Sequence, residues 1–148
     1  MKKVMLLVSV LAFATMFAAC DKKEIISVAE LPASSQVFIK THFPEVAITH
    51  IIKETDGLGK DYTVYLANGF DIDFDKKGNW DDVDGHFTPL PQSVLNLLPA
   101  GIMEYVTAYL PNSQIVEANR ERYGYEIGLN GEIDLRFNSN GAFIGYED

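Results

Sequence analysis

The chain is predicted to be an α+β protein: two duplicated α-β4 units forming two layers, an antiparallel sheet with helices on one face. Three observations predict this. The stretch from Leu98 to the end restates an earlier one: Leu98-Pro99-Ala100 repeats Leu31-Pro32-Ala33, and at the same offset Pro111, Ile115, Glu121 and Gly124 repeat Pro44, Ile48, Glu54 and Gly57. After four extra residues, Leu58 to Asp61, the match resumes with Tyr62/Tyr125, Leu66/Leu129, Asp71/Asp134, Phe74/Phe137 and Gly78/Gly141. Second, each copy begins with helical spacing closed by a proline and then changes to a period of two, the mark of half-buried strands. Third, turn residues separate the period-two runs, with Asn68-Gly69 and Asn130-Gly131 as hairpin signals.

The elements follow in order. Pro32 and Pro99 suit a first helical turn, where a missing N–H costs nothing. Pro44 and Pro111 end the helices, because the residue before proline is pushed out of the α region. Ile102, Tyr105, Val106, Tyr109 and Leu110 share one face of the second helix; Phe38, Ile39, His42 and Phe43 answer in the first, and Ser35 weakens its beginning. Strands are then expected from Val46 through Lys53, where Ile48 and Ile52 alternate with Thr49 and Ile51, and from Tyr62, Phe70 and Trp80. The second copy gives Gln114–Arg122, Tyr125–Leu129, Glu132–Phe137 and Ala142–Tyr146. In the strand at Phe70, the apolar Phe70, Ile72 and Phe74 alternate with Asp71, Asp73 and Asp75, giving one polar face. Neither copy can bury its apolar sheet face alone, so the sheets are expected to merge or lie side by side, with the face opposite the helices left open. The organisation is a leader over 1–19, a tether over 20–30, a first repeat over 31–85, a linker over 86–97, in which Ser93 to Leu97 can add a helical turn, and a second repeat over 98–148.

The leader has Lys2 and Lys3, an apolar run from Val4 to Met16, and then Ala18-Ala19-Cys20. This is the pattern of a secretory signal, with a small-small-Cys ending that suits lipid attachment to Cys20. Cys20 is the only cysteine, so no internal disulfide forms and the core alone must hold the exported domain. Loss of Lys2 and Lys3 with the leader takes the net charge from −9 to −11, since no acid precedes Asp21. Such a surface repels nucleic acid and anionic headgroups, so no nucleic-acid partner is expected and the membrane is met through the N-terminal lipid.

The doubled pattern of Leu-Pro, a proline-ended helix, Tyr-x-Val/Ile-x-Leu and Asp-x-x-Phe-x-x-x-Gly, with Lys76-Lys77-Gly78-Asn79-Trp80-Asp81-Asp82-Val83-Asp84, resembles the PepSY-like, beta-lactamase-inhibitor-like exported proteins. The resemblance covers nearly all of the chain beyond the leader. It implies a tandem α-β4 fold related to the beta-lactamase inhibitor protein (BLIP-like), placement in the cell envelope, periplasm or outer membrane, and no catalytic residues.

Asp71-x-Asp73-x-Asp75 begins like a calcium loop, but Lys76 stands where a glycine is required and Asp82 where the bidentate glutamate belongs, so it reads as a solvated strand face. His42, His50 and His86 lack metal spacing, no serine sits in an elbow motif, and every glycine falls in a turn rather than a phosphate loop. No metal, cofactor or catalytic set is expected. The candidate binding face is the open sheet face. If the strand from Gln114 runs regularly with Ile115 inward, Arg120 and Arg122 point outward and join Arg136, near Tyr65 where the sheets adjoin. Arginine and tyrosine are favoured interface anchors, against the alternative of ordinary pairing with Glu126 and Asp134. The reading is a non-enzymatic, membrane-tethered envelope module that presents this face to a protein or envelope component. The alternatives are an inhibitor of a peptidase or beta-lactamase-type hydrolase, and a small-ligand carrier or enzyme.

Overall fold

Hydrophobic alternation builds one sheet. The computed structural model describes residues 21–57 and 59–147; the expected leader over 1–19 and the expected lipid site Cys20 lie outside them. Nine strands follow one another as an antiparallel meander, each beside its neighbour in the sequence. They are β1 (Lys22–Ile26), β2 (Ile48–Asp56), β3 (Gly59–Leu66), β4 (Asp71–Phe74), β5 (Trp80–Asp84), β6 (Ile115–Glu121), β7 (Gly124–Leu129), β8 (Ile133–Asn138) and β9 (Phe143–Tyr146). Helix α1 (Ala33–His42) precedes β2; α2 (Gln92–Leu95) and α3 (Ala100–Tyr109) precede β6. The two expected sheets are thus one, joined where Asp82, Val83 and Asp84 of β5 pair with Asn119, Ala118 and Glu117 of β6.

One row of directly paired residues crosses the whole sheet: Ile26, Ile51, Val64, Ile72, Val83, Ala118, Ile127, Leu135 and Tyr146. Directly paired residues share a face, and seven of these nine are buried in the core with Ile39 and Phe43 of α1, Val94 of α2, and Ile102 and Val106 of α3. The helices therefore cover one face. Each fully buried aliphatic or aromatic side chain contributes about 1.5–3 kcal/mol.

Both long helices begin after a proline and end on a residue whose N–H still bonds four residues back, Phe43 to Ile39 and Leu110 to Val106. Their first turns are tied to the sheet. Ser34 Oγ donates to the Lys77 carbonyl (3.1 Å) and Ser35 Oγ to the Gly78 carbonyl (3.2 Å), which explains a fully buried serine in a helix that it does not favour. At the Ser34 position of α3 stands Gly101, and a Cβ there would press on the Gly141 carbonyl.

Three expectations need correction. The segment expected to be part of a tether is β1, whose residues pair with Ile51 to Thr55 of β2. Two of its charges have cross-strand partners, Lys23 with Glu54 (3.4 Å) and Glu24 with Lys53 (2.9 Å), and Lys22 pairs with Glu24 within the strand (2.6 Å). The alternation expected in β2 fails after Ile48, where a bulge makes Ile51 the core residue and turns Ile52 to the open face. The third concerns β6 and decides the candidate site.

Candidate functional site

The open face is set by two rows next to the core row. One runs Ile25, Ile52, Thr63, Asp73, Asp82, Asn119, Glu126, Arg136, Gly145; the other runs His50, Tyr65, Asp71, Asp84, Glu117, Gly128, Asp134. The arginines do not gather here. Between Ile115 and Glu117 the β6 register shifts, and Val116 is the additional residue. A one-residue slip sends the following side chains to the other face. Arg120 therefore shares the helix-side face of Ala118; its guanidinium lies 5.3 Å from the centre of the Trp80 ring and Nη1 donates to the Trp80 carbonyl (3.2 Å). Arg122 lies beyond the end of β6, exposed in the turn before β7. Arg136 alone is on the open face, opposite Glu126 and paired through Nε with Glu147 (3.1 Å). Tyr65 is on the open face too, but β4 and β5 separate it from β6, and it stacks on His50 at 4.3 Å. The proposed Arg120–Arg122–Arg136–Tyr65 cluster does not form. The signal that could have exposed the bulge was the adjacent apolar pair Ile115-Val116, which a regular strand would have split between faces.

What the rows do assemble is a block of carboxylates. Asp73 faces Asp82, Asp71 faces Asp84, and Asp84 faces Glu117, on three neighbouring strands. Like charges directly opposite in a sheet destabilise it. Asp73 Oδ1 and Asp82 Oδ1 are buried without a hydrogen-bond partner. Burial, then the negative charges of Glu117, Asp73 and Asp84, push the Asp82 carboxyl up to about 8. Burial likewise raises Asp73, against a hydrogen bond from Thr63, and raises Glu117, with Asp84 and Asp134 adding to it. At the end of this block His86 bridges two strands, with Nε2 3.0 Å from Asp71 Oδ2 and Nδ1 3.2 Å from Asp84 Oδ2. Among the described residues no three of His, Cys, Asp and Glu converge closely enough to hold a metal ion. His42, placed by its spacing on the apolar face of α1, lies 4.4 Å from Phe38, and burial lowers its pKa.

Helices on one face of an open antiparallel sheet, with the other face acidic, define an α+β domain. Comparison narrows this. The family described as "Putative beta-lactamase-inhibitor-like, PepSY-like" matches residues 60–145, and the chain belongs to it. A Bacteroides thetaiotaomicron protein described as "a putative calcium-regulated periplasmic protein" is 33% identical with a TM-score of 0.78, over 85% of this chain and 97% of that one. A Bacteroides vulgatus protein, described as a putative periplasmic protein from the DUF2874 family, is 32% identical with a TM-score of 0.78, over 87% and 99%. A second from that organism, described as of unknown function, is 27% identical with a TM-score of 0.79, over 86% and 100%. No curated protein matches. Among the described residues no helix is long and apolar enough to cross a membrane.

Proposed function

We propose that the protein is a non-enzymatic binding module, exported and held to a membrane by a lipid on Cys20, that presents its open sheet face to a cationic surface of a protein or envelope component. The carboxylate block carries this reading. Directly opposed acidic pairs destabilise the isolated sheet wherever both members are ionised, and a basic partner would turn that repulsion into attraction. Related periplasmic proteins support the compartment. The finer architecture, a BLIP-like duplication of one α-β4 unit, is supported by bulges at matching places: Ile48/His50 with Ile115/Glu117, and Asp73/Phe74 with Arg136/Phe137.

The test compares affinity capture from envelope extract by the native domain and by a variant with Asp71, Asp73, Asp82 and Asp84 all changed to Asn. A partner released by salt and lost with the variant is the expected result. A partner that the variant keeps, or no partner at all, removes the proposal. A narrower form, an inhibitor of a peptidase or beta-lactamase, is favoured by the family description; a panel of such enzymes all left uninhibited would dispose of it.

The anchor is tested separately. Acylation contributes about 0.8 kcal/mol per buried methylene, so Cys20→Ser should move the protein from the membrane to the soluble fraction or leave it unprocessed. Unchanged fractionation, with no acyl mass on the N-terminus, would refute the anchor.

Calcium is a second reading, favoured by the description of the Bacteroides thetaiotaomicron relative. Hard oxygen ligands suit that ion. It predicts that calcium raises the unfolding midpoint of the native chain but not of a chain with Asp73→Asn and Asp82→Asn. A native chain indifferent to calcium would end this reading.

A further inference from the structure

Phe87 is 95% exposed, yet the turn that carries it is firmly held. The Thr88 N–H donates to the Gly85 carbonyl (2.8 Å), while the flanking Gly85 and Leu90 N–H groups donate to the carbonyls of Val116 (2.8 Å) and Ile115 (2.9 Å). Gly85 is packed so that a Cβ would strike the Thr88 carbonyl and the Phe70 ring. His86 sits at φ 55°, in the left-handed region that non-glycine residues rarely adopt, with its N–H on Asp84 Oδ1 (2.6 Å) and its ring between Asp71 and Asp84. The segment thus accepts strain and leaves a large aromatic in water. A single exposed apolar residue needs no special explanation; a second feature opening onto the same place does.

That feature is Gly128, one residue from the end of β7, where glycine offers the strand no side chain to pack. A Cβ on it would lie 2.9 Å from Glu117 Cβ, 3.1 Å from Glu117 Oε2 and 3.3 Å from Asp134 Oδ1. Gly128 and Phe87 line one groove of about 310 Å³, together with His86, Leu129 and the acidic Asp84, Glu117 and Asp134. An exposed aromatic ring beside several carboxylates matches one kind of side chain. It has an apolar stem, a flat cationic head, and hydrogen-bond donors on the edge of that head.

We propose that this groove receives an arginine side chain of the cationic protein partner, its guanidinium against the Phe87 ring and its N–H groups directed to Glu117, Asp134 and Asp84. The inference rests on the acidic-face reading and adds the residue type recognised. Charge complementarity selects a cation. The ring favours arginine over lysine, because a guanidinium stacks on aromatic faces and forks toward carboxylates, whereas an ammonium is a compact and strongly hydrated point charge. Seating at the centre of such a patch is how aromatic and arginine pairs come to dominate interfaces.

The experiment titrates the ¹⁵N-labelled domain with an acetylated, amidated Gly-Arg-Gly peptide, its lysine and citrulline counterparts, and calcium chloride alone. The arginine peptide should shift the amides around Phe87, Gly128 and Asp134 together, and bind more tightly than the lysine peptide. The citrulline peptide, which lacks the charge, should not bind. Phe87→Ala should weaken the arginine peptide about tenfold or more, and since its side chain is exposed the fold should be untouched; Gly128→Ala should weaken it too, with an unchanged circular dichroism spectrum as control. Glu104→Gln, which removes an exposed carboxylate from α3 on the opposite, helix-covered side of the sheet, should leave the affinity as it was. Shifts spread over the acidic face, with Phe87→Ala behaving like the native chain, overturn the groove and leave the acidic-face reading intact. Calcium shifting the same amides while Phe87→Ala keeps full peptide affinity makes this a simple cation site and also overturns it. No saturable shift with any basic peptide removes both readings.

Discussion

Phe137→Ala is expected to lower the free energy of unfolding by about 3–5 kcal/mol, and Phe74→Ala by a similar amount. Both rings are essentially without exposure. Phe137 meets Tyr105 of α3 edge-to-face at 5.6 Å and Phe143 of β9 at 5.8 Å, while Phe74 meets Phe38 of α1 in the same manner at 5.5 Å. Each ring therefore joins a helix to the sheet, and its removal leaves a void that strand and helix cannot both close. A domain of this size has about 5–15 kcal/mol in total, so either change should bring the urea midpoint down severely. Asp73→Ala, one residue from Phe74 but on the other face, removes no core contact and should cost little. If it proved as damaging as Phe74→Ala, the assignment of faces along β4 would be wrong.

That assignment was legible because β4 alternates without interruption: three aspartates on one side, Phe70, Ile72 and Phe74 on the other. The helix ends were legible for an equally local reason, since prolines bracket both. What escaped the sequence reading was non-local. The Lys22–Ile26 strand carries three charges in five residues and looks like a solvated tether; Glu54 and Lys53 on β2 give Lys23 and Glu24 cross-strand partners, and its pairing with β2 makes it an edge strand. The β6 bulge is bonded from outside the strand: Gly85, at the end of the first repeat, and Leu90, in the linker, donate their N–H groups to the carbonyls of Val116 and Ile115. No periodicity within β6 reports those bonds. Hence Arg120 was assigned to the wrong face, and an arginine site was expected where the chain builds an acidic one. The acids themselves were visible, but the alignment of Asp71 with Asp84 and of Asp73 with Asp82 follows from the hairpin at Lys77-Gly78. The crowding with Glu117 needs the junction between β5 and β6, which joins residues far apart in the chain.

The folded domain is expected to lose stability as the pH rises from about 5 to about 8, and Asp82→Asn to remove much of that loss. In the unfolded chain an aspartate ionises near its ordinary value of 3.8, while in the fold Asp82 is held up to about 8. Between those values the native state keeps a proton that the unfolded chain has released. Raising the pH therefore favours unfolding, with a slope of at most about 1.4 kcal/mol per pH unit from this one group. Below the lower value both states are protonated and the contribution is constant; above the upper one both are ionised and the penalty is complete. The charges that bear on Asp82 are Glu117 and Asp73 on the neighbouring strands and Asp84 on its own, all carboxylates, and Asp73 and Glu117 are raised in the same direction. Asp75 works the other way: against the raising effect of burial, hydrogen bonds from Asn79 and from the Lys77 N–H hold it below the ordinary range, so its contribution is lost only in acid, as pH falls through its lowered value. Together these place the stability maximum on the acidic side of neutrality. An asparagine at position 82 keeps the shape and has no charge to bury, so its advantage over the native chain should be small near pH 4 and grow steadily up to pH 8. Urea unfolding of both chains across that range gives the answer. A native stability that is flat or rises toward pH 8, or an Asp82→Asn chain with the same slope as the native one, would show that the carboxylates on this face do not repel one another as their placement implies.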